Sequence, residues 1–480
     1  MVSLFFLVIL SLPIFLWFLL KKNTTTTKTS RLPPGPRGLP LIGNLHQLDS
    51  SNLQKHLWRL SQKYGPLYTL RLGFRRALVA CSAKMAKEIL KTHDLEFCSR
   101  PVLTGQQKLS YNGSDLSFSR YGAYWREMRK ICVIHLFSSI RVQSFSPIRE
   151  EEVSHMIGNI SISALDSEPF NLTEAMMSLT STVICRIAFG KSYEDGGSEK
   201  SKFQDLLNET EAMFSIFFFS DYFPYMGWVD KLTGLARQFD AFYQQIIDEH
   251  LDPNRSKPEH EDILDVLLQI YKDRPYKTQL TFDHIKAILM VRILISLNIK
   301  KVQEEVRTVI GNKGFVNEYD VEQLSYLKAV VKETMRLQPT APLLIPRETT
   351  EKCNVDGYEI LAKTLVYVNA WAVGRDSEAW ENPNEFNPDR FMGSSIDLRG
   401  HHFELIPFGS GRRICPGLDM GIATVELSLA NLLHKFDWEM PAGMRREDID
   451  IDHVLPGLAT HRRDPLCLVP KPYAVMGNSE

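Results

Sequence analysis

Apolar and polar positions follow three rhythms along this chain. From Met1 to Leu20 the run MVSLFFLVILSLPIFLWFLL carries no charge and stops at Lys21-Lys22. About 20 apolar residues is the length a helix needs to cross the hydrocarbon core of a bilayer. A secretory leader would have a shorter apolar stretch, about 7–15 residues, with positive charge before it and a small-residue cleavage site after it. Here the positive charge follows the run, so the pattern predicts a transmembrane signal anchor over 1–20 with Lys22 onward in the cytosol. On that side the N-x-[ST] sequons at Asn23, Asn112, Asn159, Asn171 and Asn208 stay unmodified. The second rhythm is strand-like alternation, which predicts a small sheet over Tyr64–Cys81 and a further strand region over Cys353–Asn369 with Asp356-Gly357 as its turn. The third rhythm is helical and dominates the rest. It predicts helices over Lys84–His93, Tyr121–Phe137, Asn171–Phe189, Arg237–His250, Glu261–Tyr271, Phe282–Ile310, Val321–Leu337 and Gly421–Phe436.

Between anchor and body lies a linker over 21–44, first polar (NTTTTKTS) and then rich in proline and glycine (RLPPGPRGLPLIGN). Such a segment is stiff and non-helical, and it holds the body at a fixed attitude to the membrane. No comparable break or internal repeat follows, so 45–480 reads as one large, mainly α body with a minor β-sheet region. Composition narrows the function without naming it. With 56 Lys+Arg against 57 Asp+Glu the net charge is −1, which removes a whole-chain electrostatic case for nucleic acid. Mean hydropathy of −0.17 with a single long apolar run excludes a polytopic membrane protein. The seven cysteines are odd in number and never spaced C-x-x-C, so neither a disulfide framework nor a zinc site is indicated.

One cysteine stands apart. Cys415 lies in PFGSGRRICPG, Pro407 to Gly417, directly before an amphipathic helix with Ile422, Val425, Leu429, Leu432 and Leu433 on one side. Orphan N–H groups and the positive end of the helix dipole at a helix start favour a thiolate. Gly409 and Gly411 permit a tight turn around the sulfur, and Arg412 and Arg413 add positive charge. An arbitrary lone cysteine is usually inert and buried, but the glycines, arginines and helix start favour a working thiolate.

The segment resembles F-x-x-G-x-R-x-C-x-G, the haem-ligand loop of the cytochrome P-450 superfamily, with Phe408, Gly411, Arg413, Cys415 and Gly417 in place. Further marks of that family follow in order. Glu333-Thr-Met-Arg336 resembles its E-x-x-R pair, and Phe386-Asn-Pro-Asp-Arg390-Phe391 resembles the element whose arginine completes a Glu–Arg–Arg network. Trp125-x-x-x-Arg129 resembles the W-x-x-x-R helix, and LPPGPRGLPLIGN the proline hinge of microsomal members. The wording PFGSGRRICPG, NAWAVGRD and FELIPFG is most similar to plant A-type enzymes, near the group with aldoxime-oxidising members. On residues alone, Glu333 and Arg336 suit a helix-surface ion pair, and Trp125 with Arg129 a cation–π pair. The resemblance instead implies a structural network of Glu333, Arg336 and Arg390, and a haem b whose iron takes Cys415 and whose propionates meet Trp125, Arg129, Arg347 and Arg413.

It also implies the cytochrome P-450 fold for 45–480 as a haem-binding catalytic domain behind the transmembrane anchor, on the cytosolic face of the endoplasmic reticulum. A thiolate ligand favours O–O cleavage, so the implied activity is insertion of one oxygen atom of O2 into a small lipophilic plant secondary metabolite. The chain has no G-x-G-x-x-G segment to collect hydride itself. NADPH–cytochrome P-450 reductase is therefore the implied electron source, with Arg126, Lys130 and Arg412 as contacts. Implied substrate positions are Leu103–Asn112, Phe214–Phe223, Ala341–Ile345 and Leu458–Thr460, whose apolar character suits a greasy pocket.

In one place the chain departs from the family. Its central helix should carry [AG]-G-x-[DE]-T, but the sequence runs TFDHIKAILM, VRILISLNIK, KVQEEVRTVIG, and no acid–alcohol pair is present to serve as catalytic residues. The family pattern has roughly 20 more residues between Met290 and Lys301, about 30 Å of helix at 1.5 Å per residue. A continuous rod over Phe282–Ile310 is the simplest local reading. Two alternatives to full activity follow: a haem-binding member that is catalytically impaired or independent of O2, or a misread exon boundary, since Val291-Arg292 can be encoded as the donor-like string GTAAGA. Sequencing the transcript separates these.

Overall fold

The computed structural model describes residues 31–49, 51–191, 218–223, 235–252, 255, 261–274, 276, 280–288, 300–449, 454–455, 458 and 460–473. The expected anchor over 1–20 and the centre of the expected 282–310 rod lie outside these residues. Helix is observed at both ends of that rod, Phe282–Ile288 and Lys300–Ile310.

The anticipated sheet forms from strands β1 (Leu67–Leu72) and β2 (Arg75–Ala80), joined by β7 (Leu365–Val368) and β4 (Arg347–Glu348) in the order β1-β2-β7-β4. β2 and β7 run parallel, so residues 77–80 meet 365–368 from 288 positions further along the chain. Both faces are covered. Leu78, Ala80, Val366 and Val368 bury one face, while Tyr68, Leu70, Ala77, Val79 and Leu365 bury the other against Leu57 and Trp371. Strands buried on both sides need nearly continuous apolar runs, which RALVA and LVYV supply. The predicted turn closes the hairpin of β5 (Cys353–Val355) and β6 (Tyr358–Ile360), with Asp356 and Gly357 both at positive φ. The short strands β9 (Val454–Leu455) and β10 (His461–Arg462) pair with each other, and β11 (Cys467–Pro472) pairs with β3 (Phe170–Asn171) and β8 (Phe436–Glu439).

The main core lies among the helices Ser146–Asp166, Leu172–Phe189, Leu235–Leu251, Ile263–Asp273, Lys300–Ile310, Ser325–Leu337 and Leu418–Lys435. Among the described residues one helix, Leu172–Phe189, is apolar and long enough to cross a membrane. Its Leu179, Val183, Cys185, Ile187 and Phe189 are buried in this core, so its apolarity serves packing. The 21-residue helix Ser146–Asp166 was not among the predicted elements. It buries Arg149 and Glu152 together with Val153, Met156 and Ile160, and those charges blur its apolar stripe.

The predicted helix Val321–Leu337 is two helices, Glu318–Val321 and Ser325–Leu337. The cause is a cap from another element: the Glu305 carboxylate on Lys300–Ile310 accepts the N–H groups of Tyr326 (2.6 Å) and Leu327 (2.8 Å), fixing a new start there. The predicted helices at Lys84–His93 and Tyr121–Phe137 each change to a π turn, at Glu88–Thr92 and Cys132–Leu136.

Glu426 on Leu418–Lys435 is pushed up to about 7 by burial, against the pull of Lys328 and Lys332. The folded state therefore holds this proton more tightly than the unfolded chain, and stability from this group falls as pH rises from about 4.5 to 7. Glu426→Gln is expected to raise the melting temperature at pH 8 and leave it unchanged near pH 4. A scan at the two pH values checks this.

Candidate haem site

The loop ahead of Leu418–Lys435 is shaped by backbone. Cys415 N–H donates to the Phe408 carbonyl (3.0 Å), and Gly409 and Gly411 sit at φ 72° and 69°. A Cβ on Gly411 would lie 2.2 Å from the Leu90 carbonyl oxygen, so only glycine lets the loop rest on the π turn Glu88–Thr92. Cys415 is surrounded: burial pushes its thiol up, while the Gly417 N–H and the Arg129 guanidinium pull it down. The helix start contributes through the Gly417 N–H, and burial outweighs it. The expected help from Arg412 and Arg413 does not appear. Arg412 turns to Asp94 at 3.0 Å, and Arg413 turns away to three carbonyls, so the guanidinium that reaches the sulfur's field is Arg129, from the helix Ala123–Ile131.

Arg413 anchors a cluster. Its guanidinium donates to the carbonyls of Cys98 (2.8 Å), Leu116 (3.3 Å) and Ser119 (2.7 Å) and lies 4.1 Å from the ring centre of Trp125. The Trp125 indole N–H donates to the same Leu116 carbonyl at 3.0 Å. Arg347, at the edge strand β4, donates to the Ser410 carbonyl (3.0 Å) and faces Asp94 at 3.4 Å. Arg100 completes the group, donating to the carbonyls of Ser117 (2.8 Å), Ile345 and Pro346 (2.9 Å). Nothing in the local sequence singles out Arg100. It sits alone in FCSRP, and its partners lie up to 246 positions away.

These side chains hold positive charge against its preference. Burial and the neighbouring Arg413 and Arg347 push Arg100 down, burial and Arg347 push Arg413 down to about 9, and burial alone lowers Arg347 and Arg129. Asp94 and Asp115 are the carboxylates whose fields oppose this, and Asp94 is shared between Arg347 and Arg412. Buried charges are ordinarily paired. Four guanidiniums gathered near one cysteine loop, with too few carboxylates among them, fit a ligand bearing two carboxylates and a thiolate-seeking metal. Haem b is such a group, and the residues present fit it.

Behind this site Glu333 and Arg336 are fully buried. Arg336 Nε and Nη2 donate to the two Glu333 oxygens at 2.6 and 2.8 Å, and Arg390 Nε adds 3.2 Å. Arg336 also donates to the carbonyls of Gly374, Pro383 and Glu385, so one guanidinium ties its own helix to the segments at 374 and 383–385. The pair is a buried network, not a surface one. Of the expected substrate segments, Leu103–Asn112 meets Phe218–Phe223 where Thr104 donates to Asp221 at 2.7 and 2.8 Å. Thr460 donates to the Thr340 carbonyl at 2.8 Å, beside Ala341–Ile345. Phe214 to Phe217 lie outside the described residues. Arg126 and Lys130 are exposed on Ala123–Ile131, and the Arg412 side chain is half exposed.

A family model for cytochrome P450 matches residues 33–294 and 298–467. The chain is 47% identical to the 6,7,8-trihydroxycoumarin synthase of Pastinaca sativa, covering 98% of this chain and 99% of the relative. Its identity to the strychnine-11-hydroxylase of Strychnos nux-vomica is 44%, over 95% of each chain. The alignment with the coumarin synthase runs over 503 positions, more than the 480 residues of this chain, so the relative has positions that this chain lacks. A solved zebrafish cytochrome P450, a structure with abiraterone, shares the fold at a TM-score of 0.71 and 21% identity, over 88% of this chain and 99% of that one. With the loop geometry, the guanidinium cluster and these matches together, this chain belongs to the cytochrome P450 family of haem-thiolate monooxygenases, in its plant branch.

Proposed function

We propose that Cys415 would hold the iron of haem b and that this chain inserts one atom of O2 into a small lipophilic plant metabolite, RH + O2 + NADPH + H⁺ giving ROH + H2O + NADP⁺. The observation that carries the reading is the convergence of buried guanidiniums on the Cys415 loop, a charge surplus that the haem carboxylates would neutralise. Arg100, Trp125, Arg347 and Arg413 orient those carboxylates, and Arg129 tempers the thiolate. Thiolate ligation supplies the electron density that favours O–O cleavage. The Glu333–Arg336–Arg390 network keeps the segments behind the site in register. Electrons come from NADPH–cytochrome P-450 reductase at the exposed Arg126, Lys130 and Arg412, since the chain carries no nicotinamide fingerprint of its own. The relatives' names support a small plant compound as substrate class.

The same reading places the chain on the endoplasmic reticulum as a single-pass protein. Exposed Leu39, Leu41, Ile42 and Phe74 support contact with the lipid bilayer near the hinge. The Gly73 N–H donates to the Ile42 carbonyl at 3.2 Å, which joins the hinge to the β1–β2 turn beside Phe74.

One observation favours a second reading. The acid–alcohol motif is absent, and the family match breaks at residues 295–297, so a haem-binding but catalytically impaired member fits as well as a complete enzyme. Expressed protein with reductase and a panel of plant phenolics and alkaloids tests both. A thiolate-type CO spectrum with NADPH use matched by hydroxylated product supports the first. The same spectrum with NADPH use yielding no product supports the second, and protein without haem overturns both.

A further inference from the structure

The arginine cluster is held by carbonyls from one short turn. Leu116 accepts from Trp125 and Arg413, Ser117 accepts from Arg100, and Ser119 accepts from Arg413. Three carbonyls within four residues cannot face a common cluster unless the turn that carries them is fixed. Its own N–H groups supply the means. Asp115 Oδ2 accepts from Ser117 N–H at 2.9 Å, and Asp115 Oδ1 accepts from Phe118 N–H at 3.0 Å, with Oδ2 at 3.1 Å from the same group. The carboxylate is buried, as are Phe118 and Ser119 beside it.

We propose that Asp115 is the positioning residue of the haem-carboxylate site: its two oxygens fix the 115–119 turn so that the carbonyls of Leu116, Ser117 and Ser119 aim Arg100, Arg413 and Trp125 at the bound group. The inference rests on the reading that this cluster holds haem.

Two observations argue for a carboxylate at this position. The Phe118 N–H is shared between both carboxylate oxygens while the Ser117 N–H takes one of them, whereas an asparagine in either orientation would set an NH2 against the Phe118 N–H. Asp115 also belongs electrostatically to the cluster. Its charge supports the protonated forms of Arg100 and Arg413, and those guanidiniums in turn work against the burial that raises its own carboxyl to about 7. Asp94 also lies at this cluster, and it is engaged by Arg347 at 3.4 Å and Arg412 at 3.0 Å.

The test is haem release from full-length, detergent-solubilised holoprotein to an excess of a high-affinity haem scavenger, followed optically for wild type, Asp115→Asn and Asp115→Ala. Losing both acceptors is expected to speed release about tenfold, the size of one or two hydrogen bonds at the site, with Asp115→Asn between that value and wild type. The urea midpoint of the apoprotein should stay within error of wild type for Asp115→Asn, which separates positioning from general loss of fold. Should Asp115→Ala fail to fold, Asp115→Asn alone decides. Release at the wild-type rate from either folded variant overturns the inference. A wild type that never takes up haem overturns the underlying reading instead.

Discussion

Cys415→Ala is expected to abolish the thiolate-type Soret band of the reduced, CO-bound protein and all monooxygenase turnover. The expectation rests on the groups around each thiol as much as on the loop. Burial pushes the thiols of Cys81 and Cys132 up to about 12 and raises those of Cys98, Cys353 and Cys415 as well, so what distinguishes them is the groups that work against burial. Cys185 is buried among helices, and Cys467 opens strand β11. Of the five raised thiols, Cys98 and Cys132 also feel guanidiniums, but Cys415 adds to one, Arg129, a backbone N–H donor at its sulfur, that of Gly417. The loop should still form, because Phe408, Gly409 and Gly411 shape it through backbone, and urea unfolding of the variant apoprotein is expected to match wild type. A thiolate band surviving in Cys415→Ala would place the ligand elsewhere and overturn the site.

Glu333→Ala should be the most destabilising single change in the body. Removing one partner of a buried ion pair costs about 3–5 kcal/mol, because the other charge is left uncompensated, against a total stability of about 5–15 kcal/mol. Here the carboxylate serves Arg336, Arg390 and also the Asn387 N–H at 2.7 Å, so three donors lose their acceptor together. The expected result is protein that fails to accumulate with haem and melts well below wild type. Glu333→Gln keeps the shape yet presents an NH2 group to a guanidinium, and it should behave nearly as badly. The paired variant Glu333→Met with Arg336→Met should recover part of the loss, since a buried pair can be exchanged for apolar packing more cheaply than it can be halved. Melting of the three variants checks the order, and a paired variant no better than Glu333→Ala would mean that Arg336's carbonyl contacts, not the ion pair, carry the stability.

Much of the site was legible because its logic is local. A cysteine flanked by glycines before a helix, and a glutamate three residues from an arginine, are adjacent in the chain, and local spacing reports them. The strand regions at 64–81 and 353–369 and most of the predicted helices were legible for the same reason, whereas the sheet of β3, β8 and β11 joins short pieces far apart in the chain and was not. What escaped depended on distant partners. Nothing near Tyr326 signals a helix start, because the cap comes from Glu305 on another helix. Nothing near Arg100 signals its place, because its acceptors include the carbonyls of Ile345 and Pro346. Arg412 and Arg413 looked equivalent as neighbours of Cys415. The fold separated them, giving Arg412 to Asp94 and Arg413 to the turn at 115–119.

The sequence by itself determined the chemistry available: one cysteine able to work as a thiolate, the Glu–Arg–Arg network, an apolar leading run, and a central segment without its acid and alcohol. Those are properties of residue type and short spacing, and they do not depend on what packs where. Tertiary structure alone decided the charge balance. Guanidiniums from 100, 129, 347 and 413 become a site only when burial strips their water and the parallel meeting of β2 with β7 draws the two halves of the chain together. An arginine in water recognises nothing in particular, but a buried cluster short of negative charge specifies what must fill it.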